Sequence, residues 1–161
     1  LYDADLISYL METGQDFNQE MVISKCIGFK RDVVQEDEFD TGSRQLLNFG
    51  HTIGHAIEKC SSFKISHGNA VAIGMVIATK GAYEIGMSDE DFSDTLIPIL
   101  QKNNLPIACE YSAEELYKVS LSDKKRSFDT MSLIVPDEYG LCKIMKLSVE
   151  DLLNFIEKGM N

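Results

Sequence analysis

Apolar residues recur at helical spacing from Ala4 to Glu12, through Leu6 and Leu10, and from Phe17 to Asp37, through Met21, Val22, Cys26, Phe29 and Val33. Both stretches are predicted helices. The polar run Asp37-Glu38-Phe39-Asp40-Thr41-Gly42 ends the second and leads to Ser43, the expected N-cap of a third helix from Arg44 to Lys59. After a short polar segment from Cys60 to Ser66, His67-Gly68-Asn69 opens a run from Ala70 to Ala82 that is apolar almost throughout. A helix apolar around most of its circumference is a buried one, so this run is expected at the centre of the fold. Ser88-Asp89-Glu90-Asp91 has the capping and first-turn acidity of a helix that reaches Lys102, where Asn103-Asn104-Leu105-Pro106 stops it. Ser112 with Glu115 repeats the capping pattern before a short helix to Leu121, and Ser148 with Asp151 starts a terminal one. Between them, Ser132 to Pro136 and Leu141 to Lys146 flank Asp137-Glu138-Tyr139-Gly140, a hairpin signal. The expected fold class is mainly α, with one small β-hairpin.

Composition narrows the function classes. The 161 residues suit one domain, 1–161, with a single core. The 26 acidic against 15 basic residues leave a net charge of -11, which repels polyphosphate backbones, so nucleic acid is not an expected partner. Cys26, Cys60, Cys109 and Cys142 lie at wide spacings without a C-x-x-C pair; they are expected to be reduced, mostly buried thiols of a cytoplasmic protein. No run approaches the roughly 18 apolar residues of a membrane span, and no membrane partner is expected. The chain opens on Leu1 and runs straight into Asp3, Asp5, Leu6 and Leu10, as a piece of a longer polypeptide would.

The three histidines, His51, His55 and His67, all fall in one short stretch. His51 and His55 stand four apart on the predicted third helix, so their rings share a face and can reach one point. Arg44, Asn48, His51 and His55 follow at i, i+4, i+7 and i+11, forming one polar stripe along a helix. A guanidinium suits a carboxylate or phosphate, an amide both donates and accepts, and an imidazole ligates a metal or holds an anion. The same residues could instead be core histidines and a solvated helix face. Gly50 and Gly54 lie among them, and because glycine inside a helix costs about 1 kcal/mol against alanine, a neighbouring helix or a ligand is expected close by.

The segment Arg44-Gln45-Leu46-Leu47-Asn48-Phe49-Gly50-His51-Thr52-Ile53-Gly54-His55-Ala56-Ile57-Glu58 resembles the signature of the 3-dehydroquinate synthases. His67-Gly68-Asn69-Ala70-Val71-Ala72-Ile73-Gly74-Met75 is similar to the family's second block, Asp123-Lys124-Lys125 to its third, and Lys30 through Asp37-Glu38 to the approach to the first. The resemblance implies the helical C-terminal domain of the dehydroquinate synthase-like fold, with the NAD-binding α/β domain N-terminal to it and absent from this chain. It also implies a lyase of the shikimate pathway, which makes chorismate and the aromatic amino acids. Such an enzyme uses NAD catalytically, with Zn2+ or Co2+, to convert 3-deoxy-D-arabino-heptulosonate 7-phosphate to 3-dehydroquinate and phosphate, and acts as a homodimer.

By motif position, the resemblance makes His51 and His67 metal ligands, their third companion being a glutamate that the family places just before the residue where this chain begins. His55, Asn48 and Arg44 match substrate-contacting, catalytic positions, with His55 and Asn48 near the phosphate and Arg44 near an anionic end. Lys30 matches a substrate-binding lysine counted with the catalytic set, and one of Lys124 and Lys125 is expected to reach the phosphate. The rival readings are another sugar-phosphate cyclase, of the 2-deoxy-scyllo-inosose or valiolone type, a metal-dependent polyol dehydrogenase, or a non-catalytic metal-binding helical module. The chain by itself carries no Gly-rich strand-turn-helix signature for a dinucleotide and is expected to be inactive alone.

Overall fold

A computed structural model of the protein describes residues 3–39, 42–122, 129–138 and 140–161. The first two helices are set by their caps. Asp3 Oδ1 accepts from the Leu6 N–H at 2.9 Å and starts α1 (Ala4–Thr13), and Asn18 Oδ1 accepts from the Met21 N–H at 3.0 Å and starts α2 (Gln19–Glu36). Helix α2 lies on the surface: Val33 is its one buried residue, and Ile23 and Ile27 are exposed.

The helix expected from Arg44 to Lys59 is two pieces. Ser43–Asn48 form a 3-10 turn, Gly50 takes a left-handed φ of 78°, and α3 runs only from His51 to Cys60. Ser43 is therefore the first residue of a turn and caps nothing; Asp37 Oδ2 accepts from the backbone N–H groups of Gly42 and Arg44 and ties that turn to the end of α2. The break answers a tertiary demand. A Cβ on Gly50 would stand 2.6 Å from Met75 Cγ and 2.7 Å from the Val71 carbonyl oxygen, so only glycine fits where the chain bends against the next helix.

That next helix, α4 (His67–Glu84), is the central one expected from its composition, with Ala70, Ile73, Val76, Ile77, Ala78 and Ala82 among its buried residues. It packs against α3 on one side and α7 (Val149–Met160) on another, and glycines set both approaches. A Cβ on Gly74 would meet the Gly50 carbonyl oxygen at 2.2 Å and the Gly54 nitrogen at 2.8 Å; one on Gly159 of α7 would meet the Ile77 carbonyl oxygen at 2.2 Å. The approach foreseen around Gly50 and Gly54 is thus made by a neighbouring helix. Helix α5 runs from Ser93 to Lys102, beginning five residues after the expected Ser88. Ser88 instead turns inward and donates to the Glu90 carbonyl; the N-cap of α5 is Phe92, and Asp91 Oδ1 just before it accepts from the Ser93 N–H at 2.9 Å.

Helix α6 (Ala113–Ser122) closes the core beside α3 and α7. The hairpin pairs β1 (Thr130–Pro136) with β2 (Cys142–Ser148) antiparallel, Thr130 opposite Ser148 and Pro136 opposite Cys142. Met131, Leu133 and Val135 point into the core, and Ser132 points away from it. The four cysteines are free thiols as expected, but the burial expected for them is not found: Cys26 is exposed and the other three are half-buried. Among the described residues no helix is long and apolar enough to cross a membrane.

Candidate metal centre

Helix α3 presents His51 and His55 on one face, and the tight loop after it returns the chain so that His67, the first residue of α4, joins them. The ring centroids are 5.6 Å apart for His51 and His55, 5.2 Å for His51 and His67, and 5.7 Å for His55 and His67. The loop is built by Glu58 and Ser61. The Glu58 carbonyl accepts from the Phe63 N–H at 2.7 Å and from Ser61 Oγ at 2.7 Å, and Ser61 Oγ accepts in turn from the Ile65 N–H at 3.2 Å. Ser62 and Phe63 sit at φ 51° and 61°, a left-handed pair that is unusual outside glycine and turns the chain back at once.

Two of the three rings have their tautomer fixed by neighbours that can only accept. His51 Nδ1 lies 3.2 Å from the Phe49 carbonyl oxygen, so the proton is on Nδ1 and the Nε2 lone pair remains for a ligand. His67 Nδ1 lies 3.1 Å from Glu58 Oε2, and an ionised carboxylate imposes the same tautomer. Burial pushes the His51 imidazole below its usual pKa, with the neighbouring His67 and His55 rings acting in the same direction, so the ring is neutral near pH 7 and competent to ligate. Ligand-capable atoms of His55, Glu58 and His67 also lie within 4.8 Å of one another. Imidazole nitrogens with a carboxylate nearby make a donor set that fits zinc or another borderline divalent cation.

Beside the rings opens a cleft of about 300 Å³ lined by Gln45, Asn48, His51, Thr52, His55, Ser132 and Ile134. Amides, hydroxyls and imidazoles give it many donors and acceptors, a lining suited to a hydroxylated, oxygen-rich ligand.

The structure brings together His51, His55, His67 and Asn48, four of the residues singled out by sequence. Arg44 stands apart from the cleft lining: its guanidinium Nη1 donates to the Glu38 carbonyl at 2.9 Å, because the 3-10 turn has rotated it off the histidine face. The single polar stripe from Arg44 to His55 is accordingly not formed. Lys30 is exposed on α2, and Lys124 and Lys125 lie outside the described residues. Sequence reasoning assigned no role to Glu58, Gln45, Thr52 or Ser132. Glu58 was findable, since it follows His51 by seven and His55 by three on the same helix; Ser132 could only be seen once the hairpin was placed over the cleft.

A helical domain that brings imidazole nitrogens together beside a polar cleft has the donor set for a divalent cation. The chain belongs to the 3-dehydroquinate synthase family: residues 2–126 match the family model described as 3-dehydroquinate synthase C-terminal. It is similar to the 3-dehydroquinate synthase of Enterococcus faecalis strain OG1RF, 38% identical over 152 residues, which cover 92% of this chain and 42% of that protein. Likeness to the Clostridium kluyveri 3-dehydroquinate synthase is 39% over 139 residues, covering 85% of the chain and 39% of the relative. The chain thus spans about two-fifths of the length of these curated relatives. Among solved structures, 2-deoxy-scyllo-inosose synthase complexed with carbaglucose-6-phosphate, NAD+ and Co2+ superimposes with a TM-score of 0.81 at 22% identity, over 99% of this chain and 48% of that one. The 2-epi-5-epi-valiolone synthase of Streptomyces hygroscopicus, with NAD+ and Zn2+ bound, gives 0.79 at 16% identity, over 97% and 46%. Both likenesses are ones of fold, and this chain has the mainly helical fold with one hairpin expected from the resemblance.

Proposed function

We propose that this chain is the metal- and substrate-binding part of a 3-dehydroquinate synthase, a lyase that converts 3-deoxy-D-arabino-heptulosonate 7-phosphate to 3-dehydroquinate and phosphate. The observation that carries the reading is the fixed Nδ1–H tautomer of both His51 and His67, which leaves two Nε2 donors beside a polar cleft. A relative at 38% identity with this activity in its name supports 3-dehydroquinate synthase over the other cyclases, whose likeness is one of fold.

In this reading His51 and His67 hold the divalent metal. The metal, when bound, supplies polarisation of substrate oxygens, and NAD supplies reversible hydride acceptance. His55 and Asn48 bind the phosphate, the His55 ring able to give or take a proton at a phosphate oxygen as it leaves, while Gln45, Thr52 and Ser132 offer partners to the sugar hydroxyls. Arg44 holds an anionic end of the substrate after releasing the Glu38 carbonyl, and Lys30 with Lys124 or Lys125 adds positive charge. We place the NAD site and the remaining metal ligand in the part of the relatives that this chain does not span, and read the whole protein as a cytoplasmic homodimer.

The test is phosphate release from the heptulosonate phosphate by the full-length protein. Release is expected only with NAD and a divalent cation together, and none from the 161 residues alone. Full activity in a strong chelator would overturn the reading.

A further inference from the structure

Among the described residues, Glu58 is the acidic side chain drawn into the histidine cluster. Its carboxylate is largely covered, at 14% exposure, whereas the His67 ring it meets is 55% exposed. Among the described residues, the side chains that meet that ring are His51, His55 and Glu58, all on α3, and His67 is the first residue of α4. The partner comes from α3, whose last turn both closes the loop, through the Glu58 carbonyl, and reaches the ring that the loop delivers, through the Glu58 carboxylate.

We propose that Glu58 is a positioning residue of the metal centre, its carboxylate accepting the Nδ1 proton of His67 so that the ring is held in one orientation with Nε2 as its donor atom. The proposal rests on the reading of His51 and His67 as metal ligands and adds the residue that aims one of them. A carboxylate behind a ligating imidazole fixes its tautomer and raises its basicity, and losing such a partner typically weakens metal binding by about 10- to 100-fold. The ligand-capable atoms of Glu58, His55 and His67 are close enough that Glu58 could instead ligate directly, and the two arrangements differ in what a metal probe reads.

The experiment uses Co2+ with the full-length protein, its affinity measured by competition with a chelator and its coordination by visible absorption. Glu58→Ala should weaken Co2+ binding by about 10- to 100-fold with the absorption bands unchanged in position. The isosteric Glu58→Gln should weaken it less, because its amide oxygen still accepts from Nδ1–H while the negative charge is gone, and it covers the case in which the alanine variant folds poorly. Wild-type affinity in both variants would overturn the proposal. So would shifted bands in either variant, which would make Glu58 a ligand. His51→Ala is run alongside: if it retains Co2+ at wild-type affinity, the ligand assignment itself fails, whatever the Glu58 variants do.

Discussion

His51 and His55 share a face of α3 yet differ in what surrounds their rings. His51 is half-buried and donates to the Phe49 carbonyl, whereas among the described residues no hydrogen bond fixes the exposed His55 ring. His51→Ala is therefore expected to abolish metal retention, and His55→Ala to keep the metal and lose turnover. Metal analysis of both purified variants decides it, equal loss meaning that the pair has been assigned wrongly. For Arg44, a planar fork on an anion is worth more than a point charge, so Arg44→Lys should weaken a substrate analogue by about 1.5–3 kcal/mol, roughly 10- to 150-fold. Calorimetry with the metal bound would show no change if the guanidinium serves only the Glu38 carbonyl. Thiol chemistry separates the cysteines as well. Burial pushes the Cys142 thiol up to about 11, so at pH 8 it is almost wholly protonated and should alkylate slowly, while exposed Cys26 reacts first, as peptide mass spectrometry would reveal.

At the scale of the element, the crossing of α3 and α4 decides the geometry of the centre. Gly74→Ala would drive a methyl group to 2.2 Å from the Gly50 carbonyl oxygen, and a loss of about 1–3 kcal/mol is expected, read as a lower denaturant midpoint. Gly28→Ala is the counterpart on α2, where a Cβ meets nothing within 4 Å; it should gain roughly 0.5–1 kcal/mol. The start of α1 carries a pH dependence. Lys25, and then the Leu6 N–H, hold the Asp3 carboxyl below its usual value. A depressed carboxyl stabilises the fold above its unfolded pKa of about 4 and loses that contribution as pH falls through the folded value. Asp3→Asn keeps a capping oxygen and removes the charge, so its stability should fall short of wild type at pH 7 and converge with it only once pH has fallen through the depressed Asp3 value. These elements also mark what the sequence made legible. The run from Ala70 to Ala82 announced the central helix because its apolarity is a local property. The bend at Gly50 did not announce itself, since the alternating four- and three-residue spacing from Arg44 to His55 fits an unbroken helix and only the approach of Met75 and Val71 forbids it. Helix α5 was misplaced for a similar reason: Ser88 has the chemistry of a cap, and only its burial in the folded chain shows the hydroxyl turned elsewhere.

Over the whole molecule, Ile53, Ile57, Ile73, Leu116, Leu152 and Phe155 form a core behind the cleft, and none of the three histidines belongs to it. Metal should consequently act on stability only through mass action, so a chelator is expected to stop turnover while lowering the melting temperature by a modest amount that grows with metal affinity. Calorimetric scans with and without chelator would show this, and collapse of the fold on chelation would contradict it. Because the packing that shapes the domain and the side chains that face the cleft are different sets of residues, the two can be inherited separately. Asn48, Thr52 or Ser132 can be exchanged one at a time, altering what the cleft accepts, while the glycine-spaced crossing beneath them stays as it was. The same fold at 22% and 16% identity is what such a division of labour leaves behind.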